Sequence, residues 1–595
     1  MKYENNNKLE INLSMFFLLL ICFITIINDI IIYFTRINYN ISLLISLLMV
    51  IFLYIANKKK IKITNNFTKL DIIPIIFYTV LFLAIVQYKD DFLDTITYHL
   101  YNQRNPFIDK INFDFLPLST YFFPLAERMN FIFVNFLGYR YGTFLSLYII
   151  FVLYYQVKRI FGFIIPNINN KRLCIYSSLV IFSLTSNLLM GRFFIDNFSI
   201  VFLLEIILIF FKNNNIFEDK KYLYYMAILS GISIGIKLSN LILVFVINIF
   251  IVGNCIFTYG GKQLKKVKVY DYVFLLIVFL FPSFIYMYNN FIQTKNPIFP
   301  FYNYIFKSIY FNKISGTDPR LGSNNLIETI LWPLFICVFP LRGDDIFGIE
   351  DIIWGVGFIA SIGMLFSNKN KIPFKFALLN IVLTYSWVVF IFGYTRYGMV
   401  IAILYYILTL YMLDMLIEDV KKKIKDNKIS VKTVIKTILM YIIGICIIIS
   451  MCQSIAYNIV RIYRMIISKN DISNKTKIVE KYDIDGAWVC TKYNTSYIDF
   501  IRCNEDPMYS MDIILDEDPM CHVNYGFSDY SKKHFLNKIN NKELYTIIPY
   551  NYEEYVLEVL DRLNFKIIDE LGVFSNDYFS NEYNTLRIVK IEYNP

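Results

Sequence analysis

Residues 72–100 read IIPIIFYTVLFLAIVQY and then KDDFLDTITYHL, so an apolar run ends abruptly in an acidic and polar stretch. Apolar runs of about 17–22 residues recur along most of the chain, and each is long enough to cross a bilayer core of roughly 30 Å as a helix. The composition agrees, because 56% of the residues are hydrophobic. We predict a polytopic α-helical membrane protein, since the strands of a membrane β-barrel would be about ten residues long and would alternate apolar with polar side chains.

The positions of the lysines predict how the chain is oriented in the membrane. Cytoplasmic loops are enriched in Lys and Arg, and these residues cluster near the N-terminus, at 58–62 and in later short loops. The pattern explains the net charge of +11 without a nucleic-acid partner. It predicts a plasma-membrane protein with a cytoplasmic N-terminus and an exported C-terminus. About 13 spans are expected, at residues 14–34, 41–56, 72–88, 139–157, 173–190, 198–211, 222–236, 238–256, 270–291, 352–366, 374–392, 397–417 and 433–455.

Residues 326–341 do not fit this series of spans. The segment is short and contains Pro333 and Pro340, and prolines interrupt a helix. Counting it as a span would also place the lysines at 369–375 outside, against the rule for positive loops. We therefore predict an interfacial or re-entrant segment on the outer face.

The last part of the chain differs in composition from the rest. Residues 468–595 are rich in Asp, Asn, Lys and Tyr and contain short strand-like runs. About 125 residues can hold a hydrophobic core of their own. We predict a membrane domain at 1–467, with a long first outer loop at 89–138, and a small extracytoplasmic α/β domain at 468–595.

The predicted outer face collects the side chains that could carry chemistry. Ionisable groups at membrane depth are costly and are therefore read as functional by default. In glycosyl transfer from a lipid phosphate, a carboxylate accepts the proton of the attacking hydroxyl, and cations neutralise the phosphate as charge develops on it. The residues on this face that fit such roles are Asp94, Tyr98, His99, Glu127, Asp196, Lys237, Arg396 and Tyr397.

The run Asp94-x-x-x-Tyr98-His99-Leu100 resembles the acidic motif of the GT-C glycosyltransferases, in the branch of the protein O-mannosyltransferases and the aminoarabinose transferase of lipid A. Asp196 resembles the second acidic position of that family, and Lys237 resembles the lysine of its G-x-x-x-K turn. Residues 296–300 and the pair Arg396-Tyr397 resemble its later N-P-x-x-P and R-Y elements. The resemblance covers roughly residues 70–410, in the family's order.

This resemblance implies an inverting transfer from a polyprenyl-phosphate sugar, with Asp94 as the catalytic base. Lys237 and Arg396 are then expected to bind the phosphate, and Asp196 to position the site or a divalent cation, which is the one cofactor that the resemblance suggests. The acceptor is expected to be a cell-surface glycan, a lipid or a protein.

Four further residues belong to the predicted substrate site: Tyr98, His99, Glu127 and Tyr397. Asp90 and Asp91 are competing carboxylates, and the four-residue spacing to Tyr98 favours Asp94 over them. Tyr101 stands where relatives often have proline, which leaves the substrate open.

Several of these residues also have a purely structural explanation. Asp94 could cap a helix, and Glu127 could pair with Arg128 or Arg104. Lys237 and Arg396 could anchor the chain at the membrane surface.

A flippase or transporter for a lipid-linked glycan is the main alternative function. It predicts charged residues deep within spans, discontinuous helices and an inverted repeat, whereas the predicted spans look nearly free of ionisable groups and no repeat is evident. A surface polysaccharide polymerase would share the outer site and the lipid-linked substrate. A receptor without catalytic activity would leave the clustering of polar residues on the outer face unexplained.

Overall fold

The structure is a computed structural model of the chain. It describes residues 8–86, 99, 102–103, 107, 122–165, 168–183, 190–193, 198–212, 216–261, 266–310, 322–343, 352–366, 371–426, 430–467, 501–503, 506–509, 517–518, 523–524, 528–539, 544–549, 553–575 and 585–594.

The described helices, numbered in chain order, make up most of the first 467 residues. They are α1 (Leu13–Thr35), α2 (Tyr39–Asn57), α3 (Ile72–Ile85), α4 (Leu125–Tyr141), α5 (Phe144–Ile164), α6 (Asn170–Ile181), α7 (Phe198–Lys212), α8 (Lys220–Ile236), α9 (Asn240–Tyr259), α10 (Val269–Leu280), α11 (Phe284–Thr294), α12 (Asn303–Phe306), α13 (Leu326–Phe335), α14 (Ile353–Phe366), α15 (Lys371–Phe390), α16 (Met399–Lys425) and α17 (Val431–Ile467).

These helices confirm a multi-pass helical membrane protein, although the predicted count of 13 spans is not confirmed. Seven helices in the described part of the chain are long and apolar enough to cross a membrane, or eight if α10 and α11 form one span. The runs predicted at 72–88, 173–190, 198–211 and 352–366 form helices of 14, 12, 15 and 14 residues. Each is shorter than the roughly 20 residues that a straight span needs.

The run at 270–291, predicted as one span, is two helices. α10 and α11 meet at an angle of 77°, and Pro282 lies at the break, where it cannot donate a backbone hydrogen bond. α8 packs closely against the end of α10. A Cβ built on Gly231 would come within 2.1 Å of the Phe279 carbonyl oxygen, so only glycine permits this approach.

A short parallel pair of strands joins two segments that the lysine pattern places on the same side. Strand β1 (Leu9–Asn12) pairs with β2 (Ile61–Thr64). Glu10 in β1 forms salt bridges with Lys62 and Lys212. The hydrogen bond from Lys212, followed by the charges of both lysines, holds the pKa of Glu10 below its usual value of 4.5.

The helices contain more buried ionisable groups than the sequence analysis allowed. Asp29 in α1 is fully buried. Asp71 pairs with Lys158 at 2.7 Å, and Glu205 in α7 pairs with Arg159 at 3.0 Å. These carboxylates have a cationic partner, as buried charges require. The described helices thus carry buried charges, so the expected scarcity of charge within the spans cannot be used against a transporter.

The C-terminal part contains an antiparallel sheet of five strands in the order β4-β3-β7-β9-β8. Its described elements are β3 (Ile501–Cys503), β4 (Asp506–Tyr509), β5 (Glu517–Asp518), β6 (Val523–Asn524), α18 (Asp529–Ile539), β7 (Leu544–Pro549), α19 (Glu553–Arg562), β8 (Phe565–Ser575) and β9 (Thr585–Tyr593). Val556 and Leu560 of α19 are buried, as are Ile548, Val589 and Ile591 of the sheet. The predicted domain boundary at 467 and 468 stays a prediction.

Candidate functional site

The first described part of the site joins His99 to the start of α4, two positions that both belong to the predicted first outer loop. His99 Nδ1 lies 2.9 Å from Glu127 Oε1, and both side chains are 1% exposed. Glu127 occupies the first turn of α4, where the helix dipole favours a negative charge. The contact therefore attaches His99, five residues after Asp94 in the chain, to the first turn of α4.

Residues close in sequence to His99 and Glu127 carry buried polar atoms without a hydrogen-bond partner. Within the described residues, Glu127 Oε2, Asn102 Nδ2, Gln103 Nε2 and both side-chain polar atoms of Asn130 make no hydrogen bond. A buried polar atom without a partner calls for an explanation such as a bound ligand or water. One carboxylate acceptor with several amide donors is the combination that complements hydroxyl groups, each of which both donates and accepts.

The second described part of the site is cationic and aromatic. Lys237 connects α8 to α9, and its ammonium group lies 3.8 Å from the centre of the Tyr397 ring. Arg396 is buried and donates a hydrogen bond of 3.2 Å to the Tyr394 hydroxyl. The Tyr394 and Tyr397 rings pack edge to face at 4.9 Å. The structure thus brings together Lys237, Arg396 and Tyr397, which the sequence analysis assigned to phosphate and substrate binding.

The chain at 393–397 is held rigidly by the two tryptophans that face it. Trp332 Nε1 donates to the Gly393 carbonyl at 2.9 Å, and Trp387 Nε1 donates to the Tyr394 carbonyl at 2.7 Å. Gly393 has φ +62°, and a Cβ there would lie 2.1 Å from Trp332 Nε1. Trp332 comes from α13, the short Pro-containing helix of the segment predicted to be interfacial or re-entrant. One role of that segment is therefore to fix the turn that carries Arg396.

The two parts of the site lie on neighbouring elements. A Cβ built on Gly235, near the end of α8, would lie 3.1 Å from Leu125 Cδ2 and 3.0 Å from Ser283 Oγ. Leu125 is two residues before Glu127, and Gly235 is two residues before Lys237. The close packing of α8 on α4 therefore places the start of α4, which carries Glu127, next to the end of α8, which leads to Lys237.

Some predicted site residues lie outside the described residues. Asp94, Tyr98 and Asp196 are among them, so their roles stay predictions. Among the residues that the structure does describe, no group of three or more His, Cys, Asp or Glu side chains could hold a metal ion. The suggested role of Asp196 beside a divalent cation is therefore untested.

Of the two arginines considered as structural partners of Glu127, Arg104 lies outside the described residues. Arg128 donates to Asp29 and to the Gln103 carbonyl, and Glu127 contacts His99. Asn296 shapes a turn: its side chain donates to the Phe301 carbonyl at 2.9 Å and accepts from the Ile298 backbone at 3.0 Å.

Asp29 is a buried carboxylate that contacts the start of α4 and that the sequence analysis did not consider. It receives hydrogen bonds from Arg128, which follows Glu127 in α4. The signal was present in the sequence, since Asp29 is the single charged residue of the predicted span at 14–34. A charge inside a membrane span indicates a functional role by default.

No family model matches the chain, and no curated protein matches it by sequence. By structure, the chain is similar to ArnT from Cupriavidus metallidurans. The crystal structure bound to undecaprenyl phosphate has a TM-score of 0.47 and the apo structure one of 0.48, each at 9% identity and over 87% of this chain and 97% of that chain. None of the residue assignments rests on this similarity.

Proposed function

We propose that the protein is a membrane glycosyltransferase that moves one sugar from a polyprenyl-phosphate donor to an acceptor hydroxyl on the outer side of the plasma membrane. The acceptor is a cell-surface glycan, a lipid or a protein. This function specifies a reaction and a side of the membrane, neither of which follows from the multi-pass helical architecture alone.

One observation carries this proposal: the buried His99–Glu127 contact and the Lys237–Tyr397 contact occupy adjoining elements. The first part offers hydrogen-bonding atoms that suit sugar hydroxyls. The second offers cations for a phosphate, and a guanidinium is well suited to that role. Transfer from a lipid phosphate needs both parts side by side.

The reaction follows from these roles. The acceptor oxygen attacks the anomeric carbon while Asp94 accepts the hydroxyl proton, and the bond between that carbon and the phosphate oxygen breaks with its electron pair on the phosphate. Polyprenyl phosphate leaves, and the configuration at the anomeric carbon inverts. Lys237 and Arg396 stabilise the charge that develops on the leaving phosphate, and Asp196 positions the site.

The aromatic side chains orient the groups that bind substrate. The face of the Tyr397 ring attracts the Lys237 ammonium group, which reduces the freedom of a flexible side chain. Tyr98, His99 and Glu127 are assigned to the hydroxyl groups of the substrate. Because Glu127 Oε1 is already occupied by His99, its second oxygen is the one available to a ligand.

The test uses the purified full-length protein in lipid nanodiscs with a panel of polyprenyl-phosphate sugars. Released polyprenyl phosphate and glycosylated acceptor are measured by mass spectrometry. Asp94→Asn is expected to abolish transfer while membrane insertion is unchanged, and Asp90→Asn and Asp91→Asn serve as matched neighbours. Transfer at the wild-type rate by Asp94→Asn would overturn the assignment of the base.

The broken helix pair α10–α11 supports one alternative, a flippase for a lipid-linked glycan. Discontinuous helices are common in transporters. The pair α10–α11, whose two helices meet at 77°, is one such broken helix. The two functions differ in their products. In proteoliposomes a flippase would move an intact lipid-linked sugar across the bilayer, whereas the proposed enzyme would consume the donor on one side.

A further inference from the structure

Asp29 is buried within the membrane part of the protein, and both of its oxygens are occupied. It lies six residues before the end of α1, which is roughly 9 Å along the helix. Arg128 donates to Asp29 Oδ1 from Nε at 2.9 Å and from Nη2 at 2.7 Å, and the Tyr286 hydroxyl donates to Oδ2 at 2.7 Å. Three helices, α1, α4 and α11, therefore meet at one carboxylate.

Arg128 connects the Asp29 carboxylate to the chain segment that precedes α4. Its remaining amino group, Nη1, donates to the main-chain carbonyl of Gln103. Glu127, the preceding residue of α4, contacts His99 of the same segment. His99 and Gln103, five and nine residues after Asp94 in the chain, are thus bound by consecutive residues of one helix.

Stability alone does not account for this arrangement. Burying an ion pair costs desolvation energy, and replacing such a pair with apolar residues is often neutral or stabilising. The planar guanidinium has a fixed fork of donors. Arg128 uses two of these donors for the Asp29 carboxylate and another for the Gln103 carbonyl. The position of Gln103 therefore depends on the position of α1.

We propose that Asp29 and Arg128 are positioning residues for the transferase site, and that they fix the backbone at Gln103, nine residues after Asp94 in the chain, in the position that the reaction needs. This inference rests on the proposed function. It predicts a loss of turnover with little change in substrate binding, because neither side chain is assigned to the substrate. A misplacement of about 1 Å can reduce a rate on the order of 100-fold.

The main variant is Arg128→Lys, which keeps the charge and removes the fork. Tyr286→Phe removes a single hydrogen bond to Asp29 and is expected to have a smaller effect of the same kind. Arg159→Lys is the matched control, since Arg159 forms a buried pair with Glu205 and no proposed site residue contacts that pair among the described residues. All three are assayed in nanodiscs for kcat, KM of the donor and melting temperature.

Arg128→Lys is expected to lower kcat roughly 100-fold and to change KM less than about twofold. Arg159→Lys is expected to lower the melting temperature by a similar amount with kcat per folded protein unchanged. Equal losses of kcat in both variants would overturn the positioning role, and so would an unchanged kcat in Arg128→Lys.

A second measurement separates this inference from the proposed function. Hydrogen exchange in peptides that cover residues 99–107 is expected to accelerate in Arg128→Lys and to stay at the wild-type rate in Arg159→Lys. If the wild-type protein transfers no sugar from any donor, the proposed function fails, and exchange alone decides whether Arg128 anchors the loop. If wild-type transfer is seen and exchange is the same in both variants, the anchor fails and the proposed function stands.

Discussion

His99 and Glu127 lie 28 positions apart in the chain, yet Nδ1 of the first is 2.9 Å from Oε1 of the second, and both side chains are buried. The contact links His99 to the first turn of α4. It leaves Glu127 Oε2 as a buried acceptor without a hydrogen-bond partner among the described residues. The pair therefore fixes the position of His99 and presents a carboxylate oxygen at the same time.

Glu127→Gln is expected to reduce transfer roughly 10- to 100-fold, because the amide keeps the shape of the side chain and removes its charge. The rate of donor consumption in nanodiscs measures the effect. Glu328→Gln is the matched control: Glu328 is another glutamate of the predicted outer face, paired with Arg342 at 3.6 Å, and its replacement should leave the rate unchanged. Equal rates for the two variants would contradict a substrate role for Glu127.

Lys237→Met is expected to raise the KM of the lipid donor about tenfold, since one cation for the phosphate is lost. Tyr397→Phe should retain most of the activity and Tyr397→Leu should not, because the attraction of the ammonium group depends on the aromatic face. Lys295→Met is the control, as the Lys295 ammonium group also lies near an aromatic ring, 5.9 Å from the centre of Phe291. A donor KM that rises equally in Lys295→Met would rule out a specific role for Lys237.

Gly393→Ala is expected to destabilise the protein by about 2 kcal/mol or more. A side chain at φ +62° is strained, and its Cβ would lie 2.1 Å from Trp332 Nε1. Thermal unfolding in detergent measures the loss. Gly363→Ala in α14 meets nothing within 4 Å and should be neutral or slightly stabilising, because alanine favours a helix. The interpretation fails if Gly393→Ala melts at the wild-type temperature.

Glu10→Gln is expected to lower the free energy of unfolding by up to about 1 kcal/mol at pH 7, since a partly exposed ion pair contributes little. The pKa of Glu10 is held below 4.5 by Lys212 and Lys62 in the folded protein. Its contribution is therefore fully present above pH 4.5 and is lost as the pH falls through the lowered pKa. Unfolding of both proteins should be compared from pH 7 downwards, and a difference that persists undiminished in acid would contradict this account.

The sequence alone determined the class of the protein and predicted the connections in which Lys237 and Arg396 occur. Long apolar runs form helices wherever the backbone must satisfy its own hydrogen bonds in lipid, so most predicted spans have a helix at the same position. Lys237 and Arg396 lie in the short connections where they were expected. The formation of a helix and the place of a short connection depend on residues that are close together in the chain, and a sequence shows these directly.

The tertiary structure decided which side chains meet. Glu127 contacts His99 while the adjacent Arg128 contacts Asp29, because consecutive residues of a helix point in different directions. Asp29 and Arg128 are 99 positions apart, and no pattern in the sequence relates them. The bend between α10 and α11 was likewise set by Pro282 together with the close approach of α8 at Gly231. Contacts between distant segments follow from the packing of whole helices, and that packing is a property of the folded chain.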